Sequence, residues 1–209
     1  SQIQFKHNYL GPSFTNSEIL KVMKKFKLKY ELIKNIFDSA SDSIIKGKII
    51  GWFQGSLEFG DRALGNRSIL ADPRNKLMKD KINKFIKYRE SFRPFAPAIL
   101  KEKAKEYFEN YQESFFMEKT LFIKPIKKKL IPSVTHVDGS GRLQTVSKNS
   151  NPLFYNLIKS FYEKTGIPVL LNTSFNVQGE PIVCSVEDAI KNFYLSGLDE
   201  LYIGNYKIK

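Results

Sequence analysis

The stretch Glu58–Arg74, EFGDRALGNRSILADPR, sets Arg62, Arg67 and Arg74 among Gly60 and Gly65, directly after the apolar run IIGWF. Guanidinium forks bind phosphate and carboxylate with defined geometry. Glycines let backbone approach a ligand closely. Arg62 and Arg67 lie five residues apart with Gly65 between them, so one loop could aim both at a polyanion. The same arginines could instead pair with Glu58, Asp61 or Asp72 as structural ion pairs.

Three further stretches share this character. KYRESFRPFAP carries Lys87, Arg89 and Arg93 between Tyr88, Phe92 and Phe95. Its prolines stiffen the backbone around Arg93. The two phenylalanines read more readily as core than as stacking surfaces. Arg142 follows DGSG. In LNTSFNVQGEP a strand-like run ends in Asn172, Thr173, Ser174 and Asn176, a set of neutral donors and acceptors. Ser174 lacks the G-x-S-x-G setting of a hydrolase nucleophile, and His7 and His136 give little support for a triad. His136 beside Asp138 fits a hydrogen-bonded structural histidine better than a general base. No P-loop and no G-x-G-x-x-G follows a strand, so nucleotide binding here would use another architecture. The shared chemistry is that of phosphate oxygens and amide-like groups.

Elements must bring these clusters together. Thr15 and Glu18 have capping-box spacing ahead of Ile19, Leu20, Met23 and Phe26. A second helix is expected through Ile36–Ile45, ending near Gly47. KIIGWF and SIL read as short buried strands, and Asp72-Pro73 turns into a helix through Leu77, Ile82 and Phe85. PFAPAIL is expected to be extended, because each proline disfavours helix in the residue before it. A helix over Lys101–Tyr107 and a strand in TLFIKPI follow. SVTHVD and RLQTV flank Gly139-Ser140-Gly141 and read as two strands around a tight turn. Asn151–Lys164 is an amphipathic helix, IPVLLN a buried strand, Ser185 and Asp188 open a helix, and ELYIG closes the chain as a strand. The expected fold class is α/β or α+β with a mixed sheet, in one domain.

The 209 residues can bury a real core. No apolar run is long enough to span a membrane. Cys184 is the single cysteine, which excludes an internal disulfide and fits a cytoplasmic protein. With two histidines, a zinc site built by this chain is not expected. The formal net charge is +13. Much of the excess is lysine in runs such as Lys21–Lys29 and Lys127–Lys129, which read as solvated faces. The charge alone would favour a nucleic-acid-binding module, whose affinity would collapse with salt.

EFGDRALGNRSILADPR, KYRESFRPFAPAIL, VTHVDGSGRLQTV and GIPVLLNTSFNVQGEPIVCSVEDAI, in this order, closely resemble the C-terminal domain of the O-carbamoyltransferases. This family includes nodulation carbamoyltransferases and antibiotic-tailoring enzymes. The resemblance runs from YLGPSF to ELYIG. Asp61 departs from it, since the family usually has proline there. The resemblance implies a YrdC-like twisted mixed sheet flanked by helices. It implies binding of ATP, with Mg2+ carried on the nucleotide, and of carbamoyl phosphate, to form carbamoyl-adenylate. A separate Kae1-like N-terminal domain, with its own metal, would transfer the carbamoyl group to an acceptor hydroxyl. Residues 1–15 would be the junction to that domain. By the same resemblance, Arg62 and Arg67 would hold phosphates. Lys87 and Arg93 would bind carbamoyl phosphate or nucleotide phosphates. Arg142 and Ser174 would complete the pocket, with Asn172 and Asn176 beside them. A regulatory domain that binds nucleotide without turnover is the other reading, and the oligomeric state stays open.

Overall fold

The structure is a computed structural model that describes residues 7–209. Residues 1–6 of the expected junction lie outside the described residues. The chain runs α1 (Asn16–Lys25), β1 (Glu31–Leu32), α2 (Ile36–Ile45), β2 (Ile50–Phe53), β3 (Arg67–Ala71), α3 (Met78–Phe85), β4 (Ala96–Leu100) and α4 (Lys101–Tyr107). It continues through β5 (Lys119–Phe122), α5 (Pro125–Lys128), β6 (Ser140–Val146), α6 (Pro152–Thr165), β7 (Val169–Ser174), α7 (Val186–Leu195), β8 (Glu200–Ile203) and β9 (Tyr206–Ile208).

Helix boundaries follow their caps. Thr15 and Glu18 form a reciprocal capping box at α1, and Ser185 and Asp188 form another at α7. Asn151 accepts the Phe154 N–H at the start of α6, where Pro152 occupies a position that needs no N–H. Gly166 closes α6 in the left-handed conformation.

The strands form one mixed sheet in the order β1-β9-β8-β2-β3-β7-β4-β6-β5. β2 runs parallel to β8 and β4 to β6, while the remaining pairs are antiparallel. Every residue of β2, β3 and β4 is buried, which requires cover on both faces. α2 and α6 pack on each other and on the central strands, and α7 packs on β2 and β8. Ile50, Trp52, Ile69, Leu70, Ile99 and Leu170 lie in the core between these layers. Gly51 is required where β2 passes Phe175: a methyl group there would lie 2.9 Å from the Phe175 ring.

The expected mixed sheet is present, with local differences. The strand expected in TLFIKPI ends at Phe122, and Pro125, whose missing N–H suits a first helical position, opens α5 instead. SVTHVD is not a strand. Ser133 and Val134 belong to a 3-10 turn, Pro132–Val134, and β6 pairs instead with β5, Thr120 opposite Arg142. The His136 N–H donates to the Ser140 carbonyl at 2.8 Å and the Gly139 N–H to the His136 carbonyl at 2.9 Å, so the segment coils onto itself. The short edge strand β1 and the closing strand β9 were not expected. Each spans two or three residues, too short for an alternating pattern to register.

This topology gathers one set of strand ends. β7 is antiparallel to its neighbours β3 and β4, with Ser174 opposite Ser68 and Asn172 opposite Ala96. β6 is parallel to β4. The last residues of β7 therefore meet the first residues of β3, β4 and β6 at one end of the sheet.

Candidate active site

A cavity of about 530 Å³ opens at that end of the sheet, a size suited to a small-molecule ligand. Four segments wall it. The β2–β3 loop brings Asp61, Arg62 and Ala63, and the α3–β4 loop brings Lys87, Arg89 and Arg93. β6 and the turn before it bring Arg142 and His136, and the end of β7 brings Asn172, Ser174 and Asn176. Of the eight residues expected from the sequence, seven line this cavity.

Arg67 does not line it. Its side chain is fully buried and faces the protein. One guanidinium nitrogen donates to the carbonyls of Gln54 (2.7 Å), Gly55 (3.2 Å) and Asn66 (3.1 Å). The other donates to the Pro12 carbonyl at 3.0 Å. The guanidinium also stacks 3.7 Å from the Phe53 ring centre. Burial pulls its pKa down to about 10 despite the nearby Glu58. The expectation that Arg67 holds phosphate is therefore not supported by its placement: its cationic head is taken up by backbone carbonyls. The reason lies in strand alternation, which points Arg67, the first residue of β3, away from the face that Ser68 and Ser174 share.

Arg62 sits at the mouth, less than half exposed, and pairs with Asp61 at 3.0 Å. Among the described residues, no ion pair or side-chain hydrogen bond engages the guanidinium of Arg93 or Arg142. Burial lowers the pKa of Arg142, with repulsion from Arg62 adding to it. These guanidiniums converge on the same space, and only Asp61 opposes them from the wall. An anion entering the cavity would relieve that repulsion.

Lys87 is buried, and its ammonium reaches the end of β7. Nζ donates to the Ser174 carbonyl (2.6 Å), the Ser174 hydroxyl (3.3 Å), the Asn176 carbonyl (2.8 Å) and Asn176 Oδ1 (2.6 Å). Burial pushes its pKa down to about 7, and Arg89 and Arg93 push in the same direction. Ser174 Oγ donates to Asn176 Oδ1 at 2.7 Å, and Asn176 Nδ2 donates to the Glu180 carbonyl. Lys87, Ser174 and Asn176 thus form one connected unit. Asn172 is tied down as well: its Nδ2 donates to Gln144 Oε1 (2.7 Å) and to the Ala63 carbonyl (3.1 Å). That second bond fastens the β2–β3 loop to β7.

Arg89 and His136 also line the cavity. Arg89 was visible in the sequence, two residues from Lys87, but its role is set by fold. Nε donates to Asn83 Oδ1 at 2.7 Å, and the guanidinium lies 4.8 Å from the Phe95 ring centre. Burial lowers its pKa to about 10, with Arg93 contributing. His136 Nδ1 lies 3.1 Å from Ser140 Oγ, which donates to Asp138 Oδ1 at 2.7 Å. Since the Ser140 proton goes to Asp138, the serine oxygen accepts from Nδ1–H, and the neutral ring keeps its lone pair at Nε2. Burial lowers the His136 pKa, which favours that neutral ring. Phe95 is core, as read from the sequence, whereas Phe92 is 69% exposed.

Glu58 is a structural acid, but it serves backbone N–H groups and not an arginine side chain. Its Oε1 accepts the backbone N–H groups of Leu64 (2.7 Å), Asn66 (2.8 Å) and Arg67 (3.2 Å). Burial pushes its pKa up, against the pull of those N–H groups. Glu58 thus folds the loop that carries Arg62. Away from the cavity, Lys21, Lys24, Lys25 and Lys29 are exposed, as expected of solvated faces. Among the described residues no group of three or more His, Cys, Asp or Glu could hold a metal ion, and no helix is long and apolar enough to cross a membrane.

The chain is 49% identical over 185 residues to nodulation protein NolNO of Sinorhizobium fredii, covering 87% of this chain and 27% of that protein. It is 34% identical over 170 residues to the 3'-hydroxymethylcephem-O-carbamoyltransferase of Amycolatopsis lactamdurans, covering 80% and 32%. The chain thus spans about a third or less of the length of these relatives. Among solved structures, full-length HypF in its phosphate- and nucleotide-bound form superposes with a TM-score of 0.56 at 16% identity, over 82% of this chain and 25% of that one. Sua5 of P. abyssi complexed with L-threonine gives 0.58 at 14% identity, over 80% and 46%. The fold is therefore the YrdC-like one expected. Residues 41–209 match the family described as Carbamoyltransferase C-terminus, and the chain belongs to that family.

Proposed function

We propose that the cavity binds ATP and carbamoyl phosphate together and forms carbamoyl-adenylate. The observation that carries this reading is the convergence of Arg62, Arg89, Arg93, Arg142 and Lys87 on one cavity whose wall carries a single acid, Asp61. Such a wall suits a ligand with several phosphate charges. Arginines keep their charge as the site dries, where a buried lysine can lose it.

The reaction balances in two steps. Water releases inorganic phosphate from carbamoyl phosphate and leaves carbamate. A carbamate oxygen then bonds to the α-phosphorus of ATP, the bond from that phosphorus to the β-phosphate oxygen breaks, and pyrophosphate leaves. Negative charge accumulates around the α-phosphorus as this happens, and fixed guanidiniums stabilise it. Lys87 contributes by holding Ser174 and Asn176 in place and by adding positive charge from behind. Ser174 and Asn176 offer the neutral polar atoms that an amide-like carbamoyl group needs. The neutral His136 offers a lone pair in the same wall. Magnesium fits this site as a counter-ion carried on the nucleotide phosphates, because the donor set has no cage of carboxylates to hold it alone. Transfer of the carbamoyl group to an acceptor hydroxyl would fall to a further domain of the kind that the longer relatives have room for.

Titration calorimetry with Mg-ATP and with carbamoyl phosphate tests the binding. The expected result is saturable binding of each, weakened by Arg142→Ala. Heats that do not saturate with either ligand would remove the proposal. Binding of ATP without any AMP formed in the presence of carbamoyl phosphate would favour a regulatory domain instead.

A further inference from the structure

The β2–β3 loop reaches the cavity with Arg62, yet part of what holds it in place comes from a segment about fifty residues earlier in the chain. The segment Asn8–Pro12 lies along this loop. The Gly11 N–H donates to the Leu57 carbonyl (3.0 Å), the Leu57 N–H to the Pro12 carbonyl (2.9 Å) and the Phe59 N–H to the Asn8 carbonyl (2.7 Å). Asn8 Nδ2 returns a bond to the Phe59 carbonyl at 2.6 Å. The Tyr9 hydroxyl donates to the Leu64 carbonyl at 2.9 Å and accepts from Asn151 Nδ2 at 3.0 Å. Arg67 joins the same junction through its 3.0 Å bond to the Pro12 carbonyl.

Two packing features make this contact specific. Gly11 presses so closely on Leu57 that a methyl group at position 11 would lie 2.8 Å from Leu57 Cβ. The Tyr9 ring packs against Leu64, Ala96 and Met117. Ala96 and Met117 line the cavity itself, so Tyr9 backs its wall. The loop between these fastenings carries Asp61 and Arg62, whose side chains are substantially exposed. Their placement therefore depends on the loop's anchors and not on their own packing.

We propose that Asn8–Pro12 is a strap that holds the β2–β3 loop in its ligand-binding geometry, with Tyr9 and Gly11 as positioning residues for Arg62. The ligand in question rests on the phosphate reading given above. No residue of the strap lines the cavity, and the strap works through the loop's backbone.

The test uses the whole chain, inorganic pyrophosphate as the probe, and two variants. Tyr9→Phe keeps the ring and removes one hydroxyl; Leu64 keeps its bond from Gln144, and Asn151 keeps its bond to Asn66. Gly11→Val wedges the strap away from Leu57. Hydrogen exchange should quicken at the Leu57 and Phe59 amides in Gly11→Val, while the Leu170 amide in the core stays slow. Pyrophosphate affinity should fall about fivefold in Tyr9→Phe, the scale of one ordinary hydrogen bond. In an Arg62→Ala background the same change should cause little further loss. Unchanged exchange at Leu57 and Phe59 in Gly11→Val would overturn the strap. So would quickened exchange with unaltered affinity, or losses that simply add to that of Arg62→Ala. If the unaltered chain binds no pyrophosphate, the phosphate reading fails, and the exchange rates alone then decide whether the strap holds the loop.

Discussion

Lys87 Nζ donates to the Ser174 carbonyl across 2.6 Å, joining the loop after α3 to the last residue of β7. The two residues are 87 positions apart, and the bond makes Ser174 and Asn176 a single unit with the basic loop. Lys87→Met should remove the charged donor of those oxygens, although Asn176 Oδ1 keeps the Ser174 hydroxyl and the Ser174 carbonyl keeps the Asn176 N–H. Charge-assisted bonds contribute about 1.5–3 kcal/mol, so the fold should lose stability on that scale, and ligand affinity should fall as Ser174 and Asn176 lose their fixed positions. Calorimetry with carbamoyl phosphate checks this, and unchanged affinity would make Lys87 a structural group only.

The same lysine should couple binding to protons. Burial lowers its pKa from 10.5 to about 7 in the folded chain. Across that interval the unfolded chain holds a proton that the folded chain lacks. The lysine's contribution to stability therefore rises with pH over this window, and its penalty is complete below it. An anion beside the amine restores the charged form. Binding of an anionic ligand at pH 8 should thus take up a proton, and Lys87→Met should abolish that uptake. Titrations in buffers of different ionisation enthalpy measure it. Equal proton counts for the two proteins would contradict the assignment.

Arg67 and Arg93 should separate cleanly. Arg67 bonds four backbone carbonyls, and a buried acceptor left unpaired costs about 1–3 kcal/mol. The Asn66 and Pro12 carbonyls retain another donor, the N–H groups of Gln54 and Leu57, so Arg67→Met should cost about 2–4 kcal/mol in total. In a chain of this size that lowers Tm by roughly 4–16 °C. Arg93→Lys should leave Tm in place and weaken phosphate-ligand binding, because a lysine cannot reproduce a bidentate guanidinium contact. Thermal melts paired with titrations check both. A large Tm loss in Arg93→Lys would reverse the roles.

Gly65 is the glycine on which the β2–β3 loop turns. Its φ is +103°, and a methyl group there would overlap the Phe154 ring. Gly65→Ala should therefore cost about 1–3 kcal/mol from backbone strain alone, before any repacking of Phe154. Chemical denaturation measures the loss, and wild-type stability would show that the loop can relax.

Much of this was legible in the sequence because the signals are local. Capping boxes announced α1 and α7, and continuous apolar runs announced β2 and β7. Clusters of arginine, glycine and neutral amides pointed to eight residues, seven of which line the cavity. What was hidden depends on partners far away in the chain. Arg67 looks like Arg62 in sequence, and only the direction of β3 turns it toward the carbonyls of residues 12, 54, 55 and 66. SVTHVD has strand-like residues, but the N–H groups of Val134, Thr135 and His136 bond within the turn and its neighbours, and that of Ser133 goes to Pro73, so no strand ladder forms. The docking of Tyr9 on Leu64 spans 55 positions and leaves no periodic trace.

The most direct test of the central claim is the exchange of labelled pyrophosphate into ATP by the purified chain, with and without carbamoyl phosphate. Formation of carbamoyl-adenylate is reversible at the α-phosphorus, so label should enter ATP only when carbamoyl phosphate is present. Arg142→Ala should suppress that exchange. Label entering ATP without carbamoyl phosphate, or no exchange by a chain that demonstrably binds both ligands, would contradict the assignment of adenylate formation to this cavity.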